Sequence, residues 1–517
     1  MNVPMIRYLA YTLLGAIGAT LGACGEDSYI IVTVTTRPAV HDATKLKVTL
    51  SNTGTMRTDE LTLSTESFPV TFSISAPGRS GELGIQVDAV DAGGNLVGRG
   101  TTASTVETPT ASVLLETADF VINTDFADDQ FPSDDYEAHG FQLASGPDGS
   151  WTAAYRDRCT APCNMYARRF DKTGRALSTK IAAGTNGFPV STNLTTSIST
   201  PAIATAGNTT VQVWDFNDTT TMTPGVACRS FDAMGMGIPD QRNIATDPSS
   251  DVVTIAPLAN GNFAVAWNAF ITTSVIRAAI IRADCTVLSG AVNVSTTAMA
   301  RKVSVASTGS TPGTIMYGFV IDGGVRVRLA NFTNGFIGST SGADVQFVPR
   351  SATEVVESVR VAPLGTGFAV VVRWALATGS TGPGRIDLYR TNAQGAVMGQ
   401  AIPVTTKSGS DFQSSEAFGV ATRADGTLLV VWHSCLANGD GSGCGVYGRA
   451  FRENGTPVGD EIVIPTTTTG DQSNPSAAAL DEGFAVVWKD DSGQQPDVAG
   501  SSIRGRIIYP TAPAGSN

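Results

Sequence analysis

One short phrase recurs along this chain: an apolar strand that ends on an aromatic residue and follows directly on a turn. It reads NGNFAVAWNA at 260–269, GTGFAVVVRW at 365–374, ADGTLLVVWH at 424–433 and DEGFAVVWKD at 481–490. Aligning the residue that ends each strand gives Tyr155, Trp214, Trp267, Tyr317, Val372, Trp432 and Trp488, spaced by 50 to 60 residues. A unit of that length built only of strands cannot bury its apolar faces alone. Copies must stack, and this period implies the blades of a propeller. Seven copies predict a seven-bladed β-propeller over 119–510.

The rest of each blade follows the same logic. A variable connector leads to a third strand, as in MYARRFDKTG (165–174), VACRSFDAMG (226–235) or VYGRAFRENG (446–455). A Gly-containing turn and an outer strand such as GDEIVIPTTTTGDQ (459–472) complete it. Inner strands read as uninterrupted apolar runs because both of their faces are covered by neighbours. The seventh copy stops after its third strand, SIRGRIIYP (502–510), while ADFVINTDFADDQFPSDDYEA (118–138) parallels the outer strand of an earlier copy. Residues 119–125 are therefore expected to complete the last blade and close the ring, which removes exposed sheet edges. Hydrophobic residues make up 42% and charged residues 15%, enough apolar material for this core and too little charge for a disordered chain. The net charge of −12 argues against nucleic acid as a partner.

Residues 29–118 have a different texture. YIIVTVTT, KLKVTL, FPVTFSIS and LGIQVDAVDA alternate between faces and are separated by Gly, Asn, Asp and Pro turns. About seven short strands predict a small β-sandwich, and the segment resembles immunoglobulin-like modules that stand between an anchor and a larger exported domain. Upstream, Arg7 precedes the apolar run LAYTLLGAIGAT (9–20), which is too short for a confident span. LGAC (21–24) resembles a bacterial lipobox. That resemblance implies a signal peptide over 1–23, lipidation of Cys24, a tether over 24–28 and attachment to a membrane by acyl burial. Gly25 in place of Asp implies the outer membrane, facing periplasm or exterior. The competing reading is an ordinary signal peptide with a stray cysteine. Residues 511–517 read as a disordered tail. The repeat style, with GFAVVW, VYGRAFRENGTPVGDE and TTGDQSNPSAAA, resembles propeller repeats of bacterial surface proteins and lipoproteins over about 119–510, and it implies no catalytic residues.

Six further cysteines fit an oxidising compartment. Cys159 with Cys163, and Cys435 with Cys444, each follow the aligned aromatic position by three or four residues and predict hairpin-tip disulfides; Cys228 and Cys285 remain as a pair between neighbouring repeats. Zinc is the competing reading, but His41, His139 and His433 share no ligand spacing with these cysteines.

Chemistry is harder to find. SGPDGSWTAAY (145–155) has the residues of a sialidase-like Ser-x-Asp-x-Gly-x-x-Trp box at the wrong spacing, and no G-x-S-x-G elbow or HExxH occurs. Arg168, Arg229, Arg449 and Arg504 recur near third strands, as structural braces would. Asp215, Asp322, Asp387 and Asp490 follow inner strands or sit in nearby loops, the places a propeller hydrolase would use and also the usual places for turn residues. The acidic stretch 125–137, with Asp128, Asp129, Asp134 and Asp135, is read as a solvated connector between blades, and the loop NGDGSG (438–443), with Asn438 and Asp440, as a Gly-rich hairpin tip. A structural Ca²⁺ is the alternative. No other cofactor is expected. The sequence reading is an envelope lipoprotein whose blade loops bind a protein or polysaccharide partner, without catalysis. Its alternative is a hydrolase or lyase acting on an extracellular polysaccharide.

Overall fold

The computed structural model describes residues 6–7, 29–64, 67–75, 80–106, 108–123, 130–131, 142–157, 165–177, 188–189, 196–198, 201–218, 223–246, 249–270, 273–296, 298–309, 313–333, 336–337, 345–349, 353–377, 384–406, 418–435, 440–498 and 500–510. Among these, every regular element is a strand, and no helix is long and apolar enough to cross a membrane. The chain divides into two compact units, 1–120 and 121–517.

In the first unit, seven strands run from Tyr29–Thr36 to Thr110–Thr117. Strict alternation buries Ile30, Val32 and Val34 of the first and Leu46, Val48 and Leu50 of the second, while their neighbours face outward. Ile85, Val87, Val113 and Leu115 complete one core. The strands form one continuous sheet. Leu96–Thr105 joins its two halves by pairing Gly98 with Thr117 and Arg99 with Glu116, and Gly98 and Gly100 sit where an added Cβ would strike the partner backbone or Val40.

The second unit is a seven-bladed propeller of antiparallel sheets. The second strands, Trp151–Asp157, Thr209–Asp218, Phe263–Phe270, Gly313–Ile321, Gly367–Leu376, Leu428–Ser434 and Phe484–Asp490, carry the repeated phrase. All seven aligned residues, from Tyr155 to Trp488, are buried. Leu428–Ser434 is buried at every position, because one side of the blade packs on the preceding blade and the other on the next. Val371, Leu388, Leu428 and Trp432 share one core across blades five and six, and Val431, Ile464, Val486 and Trp488 share another across six and seven. Each such side chain contributes about 1.5–3 kcal/mol of burial.

The ring closes as the repeats implied. The last sheet runs Gln472–Ala479, Phe484–Asp490, Ser502–Ile508, Phe120–Val121. The Ile122 N–H donates to Ile503 O at 2.8 Å, and Asn123 Oδ1 accepts the Ile503 N–H at 2.9 Å. Asn123 Nδ2 also donates to Asp497 Oδ2 at 2.7 Å. Residues 124–125 of the expected closing strand lie outside the described residues.

Arginines stitch blade to blade. Arg168 donates to Ile122 O at 2.5 Å, Arg328 to Val294 O at 2.6 Å, Arg449 to Val404 O at 3.2 Å and Arg506 to Ile464 O at 2.6 Å. Each crosses from the third strand of one blade to the outer end of the preceding one. Arg504 instead pairs with Asp490 at 3.4 Å and donates to Gln494 O and Gln495 O. Arg229 lies over the Phe231 ring. Of the recurrent arginines, Arg168 and Arg449 are braces between blades.

Two of the three expected disulfides lie in the described residues, Cys228–Cys285 and Cys435–Cys444; Cys159 and Cys163 fall outside them. Cys285 occupies the turn position that is Gly174, Gly395 or Gly455 in other blades, and it takes the same positive φ (64°). Its N–H closes the same turn onto Arg282 O. A side chain there costs about 1–2 kcal/mol relative to glycine, whereas the 57-residue separation of the cross-link gives about 4 kcal/mol by loop entropy. Removing the bridge as Cys228→Ala/Cys285→Gly should therefore leave a protein about 1 kcal/mol more stable than Cys228→Ala/Cys285→Ala. Urea unfolding of the two variants checks this, and equal midpoints would refute the strain argument.

Candidate functional site

Antiparallel order sorts the propeller into two ends. The second-to-third connections and those from each outer strand to the next blade all emerge together at one end. The first-to-second and third-to-outer turns occupy the other. The last residues of every second strand and the first of every first strand therefore belong to a single end. The seven first strands enclose a central channel of about 320 Å³, walled by all seven blades from Leu143 to Ala477.

Polar side chains gather at the connector end. The residue immediately after the aligned aromatic is Asp215, Asn268, Gly318, Arg373, His433 or Lys489 in blades two to seven. Asn268, Arg373 and His433 are buried. Opposite them, register shifts in the first strands let an extra residue out of the ladder. These are Lys302 with φ 56° between Arg301 and Ser304, Glu357 between Val356 and Ser358, and Asn474 with φ 53° between Ser473 and Ser476. Bulges re-aim side chains in this way.

Blades five to seven bring these features together. Arg373 Nη1 meets Glu357 Oε2 at 3.1 Å, with the arginine side chain 4% exposed and the glutamate 23%. On the next blade, burial and then the charge of Arg373 depress the His433 pKa to about 3, so the ring is neutral. The Asn474 N–H donates to His433 Nδ1 at 3.4 Å, which places the ring proton on Nε2. The cluster thus holds a carboxylate, a fixed cation and a neutral imidazole with a donor N–H. Further out on blade five, Arg385 binds both Glu354 and Asp387, the latter at 2.8 Å, while lying 4.7 Å over Trp374.

The carboxylates singled out from sequence do not converge. Asp215, Asp322, Asp387 and Asp490 belong to blades two, four, five and seven, and none lines the channel. Asp490 is spent on structure, accepting from Trp488 Nε1 and the Ser492 N–H. Asp322 has φ 51° in the tight connection Asp322–Gly323. Cys24, Asp128, Asp129, Asp134, Asp135 and Asn438 lie outside the described residues. Asp440 has its pKa raised chiefly by burial and accepts the Ser442 N–H. Among the described residues no group of three His, Cys, Asp or Glu is placed to hold a metal. Sequence reasoning overlooked Glu357 and Arg373 and weighed His433 only as a zinc ligand.

No protein-family model matches the chain, and no curated protein does. Solved structures share its propeller. An ulvan lyase described as a new family of polysaccharide lyase is 9% identical, with a TM-score of 0.43 over 75% of this chain and 96% of that one. The endosialidase of phage phi92 is 9% identical, with a TM-score of 0.40 over 76% and 68%. An α-L-arabinanase of Penicillium chrysogenum is 13% identical, with a TM-score of 0.34 over 62% and 91%. The expectation of a chain without catalysis does not stand beside these structures, which are by name carbohydrate-cleaving enzymes, and it is corrected.

The His433 environment gives stability a definite pH sign. An unfolded histidine takes up its proton near pH 6.5, while the folded ring refuses it down to about pH 3. In that window the unfolded state binds more protons, so stability is full above about pH 6.5 and falls as pH drops, by about 2 kcal/mol at pH 5. His433→Gln should flatten the slope between pH 7.5 and pH 5 in urea unfolding. An unchanged slope would show that the imidazole is not buried neutral.

Proposed function

We propose that this chain is a lipid-anchored envelope protein whose propeller grips an extracellular polysaccharide at the connector end of its channel and cleaves it. The supporting observation is the Glu357–Arg373–His433 cluster. Hydrolysis of a glycosidic bond by the usual route needs two carboxylates flanking it. The cluster offers one carboxylate beside a cation, with a neutral donor adjacent, which suits elimination from an acidic sugar. Glu357 takes the proton next to the sugar carboxyl and Arg373 holds the charge that develops there; as the ring double bond forms, the bond to the glycosidic oxygen breaks and that oxygen takes a proton from the now protonated Glu357 or from water, while His433 Nε2–H steadies a ring oxygen or hydroxyl. The names of the carbohydrate-cleaving propellers fit this reading. Cys24 carries the acyl anchor at the outer membrane, and an immunoglobulin-like sandwich over 29–118 serves as the spacer.

Two measurements test it. Incubation of the protein with acidic and neutral polysaccharides, followed by assay of reducing ends and of unsaturated uronate, should show cleavage of an acidic polymer. Glu357→Gln and Arg373→Met should each lower the rate about 10²–10⁴-fold while melting stays cooperative. Absence of cleavage across the panel, or full activity in both variants, rejects the reading. Metabolic palmitate labelling should mark the wild-type chain and not Cys24→Ala; label in both sinks the anchor.

A further inference from the structure

The two disulfides among the described residues differ in reach. Cys228 and Cys285 are 0% and 2% exposed, sealed between blades two and three. Cys435 and Cys444 are only half-buried. They stand at the connector end of blade six, immediately beyond Ser434 and Gly445, the last pair of its second and third strands. Cys444 also grips blade seven. Its N–H donates to Asp471 Oδ1 at 2.9 Å, and its carbonyl accepts the Gln472 N–H at 2.8 Å. Close by, Ser442 Oγ accepts the Gly470 N–H at 3.3 Å, and a Cβ added at Gly443, where φ is 118°, would strike Asp471 Oδ1. Gln472 opens the first strand of blade seven. Two residues further on, the bulge turns the Asn474 N–H to His433 Nδ1, and His433 itself stands two residues before Cys435. Bridge, backbone and hydrogen bonds thus run in a closed circuit from the imidazole through Cys435, Cys444 and Gln472 back to the imidazole.

We infer that the Cys435–Cys444 bridge and Asp471 position the His433 imidazole, and that a thiol reductant acting on this bridge switches that position. Oxidised, the bridge pins Cys444 at the end of the hairpin as a two-point anchor. The anchor holds the Asn474 N–H on Nδ1 and so keeps the ring proton on Nε2. A dithiol reductant opens the bridge in two steps. Its thiolate attacks one sulfur, which gives a mixed disulfide and frees the other cysteine. Its second thiolate then displaces the bound cysteine. Two electrons and two protons end on Cys435 and Cys444, and the reductant leaves as its own disulfide. Cys444 then rests on backbone contacts alone, the Asn474 N–H loosens from Nδ1, and the ring proton exchanges between the two nitrogens. The sealed Cys228–Cys285 bridge offers a reductant no sulfur to attack. An effect on cleavage rests on the reading above, whereas the effect on the imidazole does not.

Nitrogen-15 NMR of the imidazoles in the full chain at a fixed neutral pH, with His433→Gln to assign the signal, tests the inference. The oxidised protein should show one fixed His433 tautomer, protonated on Nε2. Dithiothreitol, and equally Cys435→Ser/Cys444→Ser, should replace it by exchange-averaged signals. Asp471→Ala, which leaves the bridge intact, should do likewise, so the test survives if the double variant fails to fold. Asp471→Asn, whose side-chain oxygen still accepts from Cys444, should restore the fixed tautomer, and Cys228→Ala/Cys285→Gly should not move it. Alkylation and mass mapping after mild reduction should label Cys435 and Cys444 and spare Cys228 and Cys285. A His433 signal unchanged by reduction, or unchanged by Asp471→Ala, overturns the inference, and so does equal labelling of both cysteine pairs. The readout is the imidazole itself, so a protein that cleaves no polysaccharide still decides it.

Discussion

A single backbone residue at the outer end of a blade does two things at once. Ile122, Val294, Val404 and Ile464 are fully buried. The N–H of each donates inward to its own third strand, at Ile503, Ile276, Ile386 and Val446, and its carbonyl receives an arginine from the following blade. The apolar side chain fills the gap between blades while the peptide unit stays fully bonded, which a buried peptide requires. The arginine bears a desolvation cost, seen in the lowered pKa of Arg168, and carbonyl acceptors plus aromatic neighbours such as Phe170 and Phe451 offset it. Hydrophobic faces alone would let blades slide. The clasp fixes their spacing, and at Ile122 it fastens the join of the ring.

The fold was legible because the repeat states it at three levels. Uninterrupted apolar runs declared two-sided burial, glycines such as Gly174 and Gly455 declared the turns with positive φ, and the missing last strand declared its replacement upstream. The rim was less legible for the same reason. Glu357 and Lys302 owe their positions to bulges, and a bulge leaves no periodic trace in the text. One signal was available: the residue just after the aligned aromatic is the varying polar position of an otherwise apolar strand, reading Asp215, Asn268, Arg373, His433 and Lys489. Asp490, prominent in sequence, proved to be fully buried and bonded.

Rigid wall and variable rim divide the labour between strands and connectors. Buried valines and aromatics hold the first strands to a narrow bore, and this rigidity lets one pair at Arg373 and Glu357 keep a fixed position. Preorganised charge in a shielded setting interacts more strongly than the same charge in bulk water. The burial that keeps His433 neutral belongs to the same economy of space, since an imidazolium beside Arg373 would repel it.

The bond between Asn123 and Ile503 spans 380 residues of chain. Contacts of such separation form late and slowly. A polypeptide made amino end first presents Val121–Asn123 long before Ser502–Ile508 follows. Until then six sheets can assemble in order while the seventh waits with an open flank, a vulnerable interval in which a chaperone or protease would find its substrate.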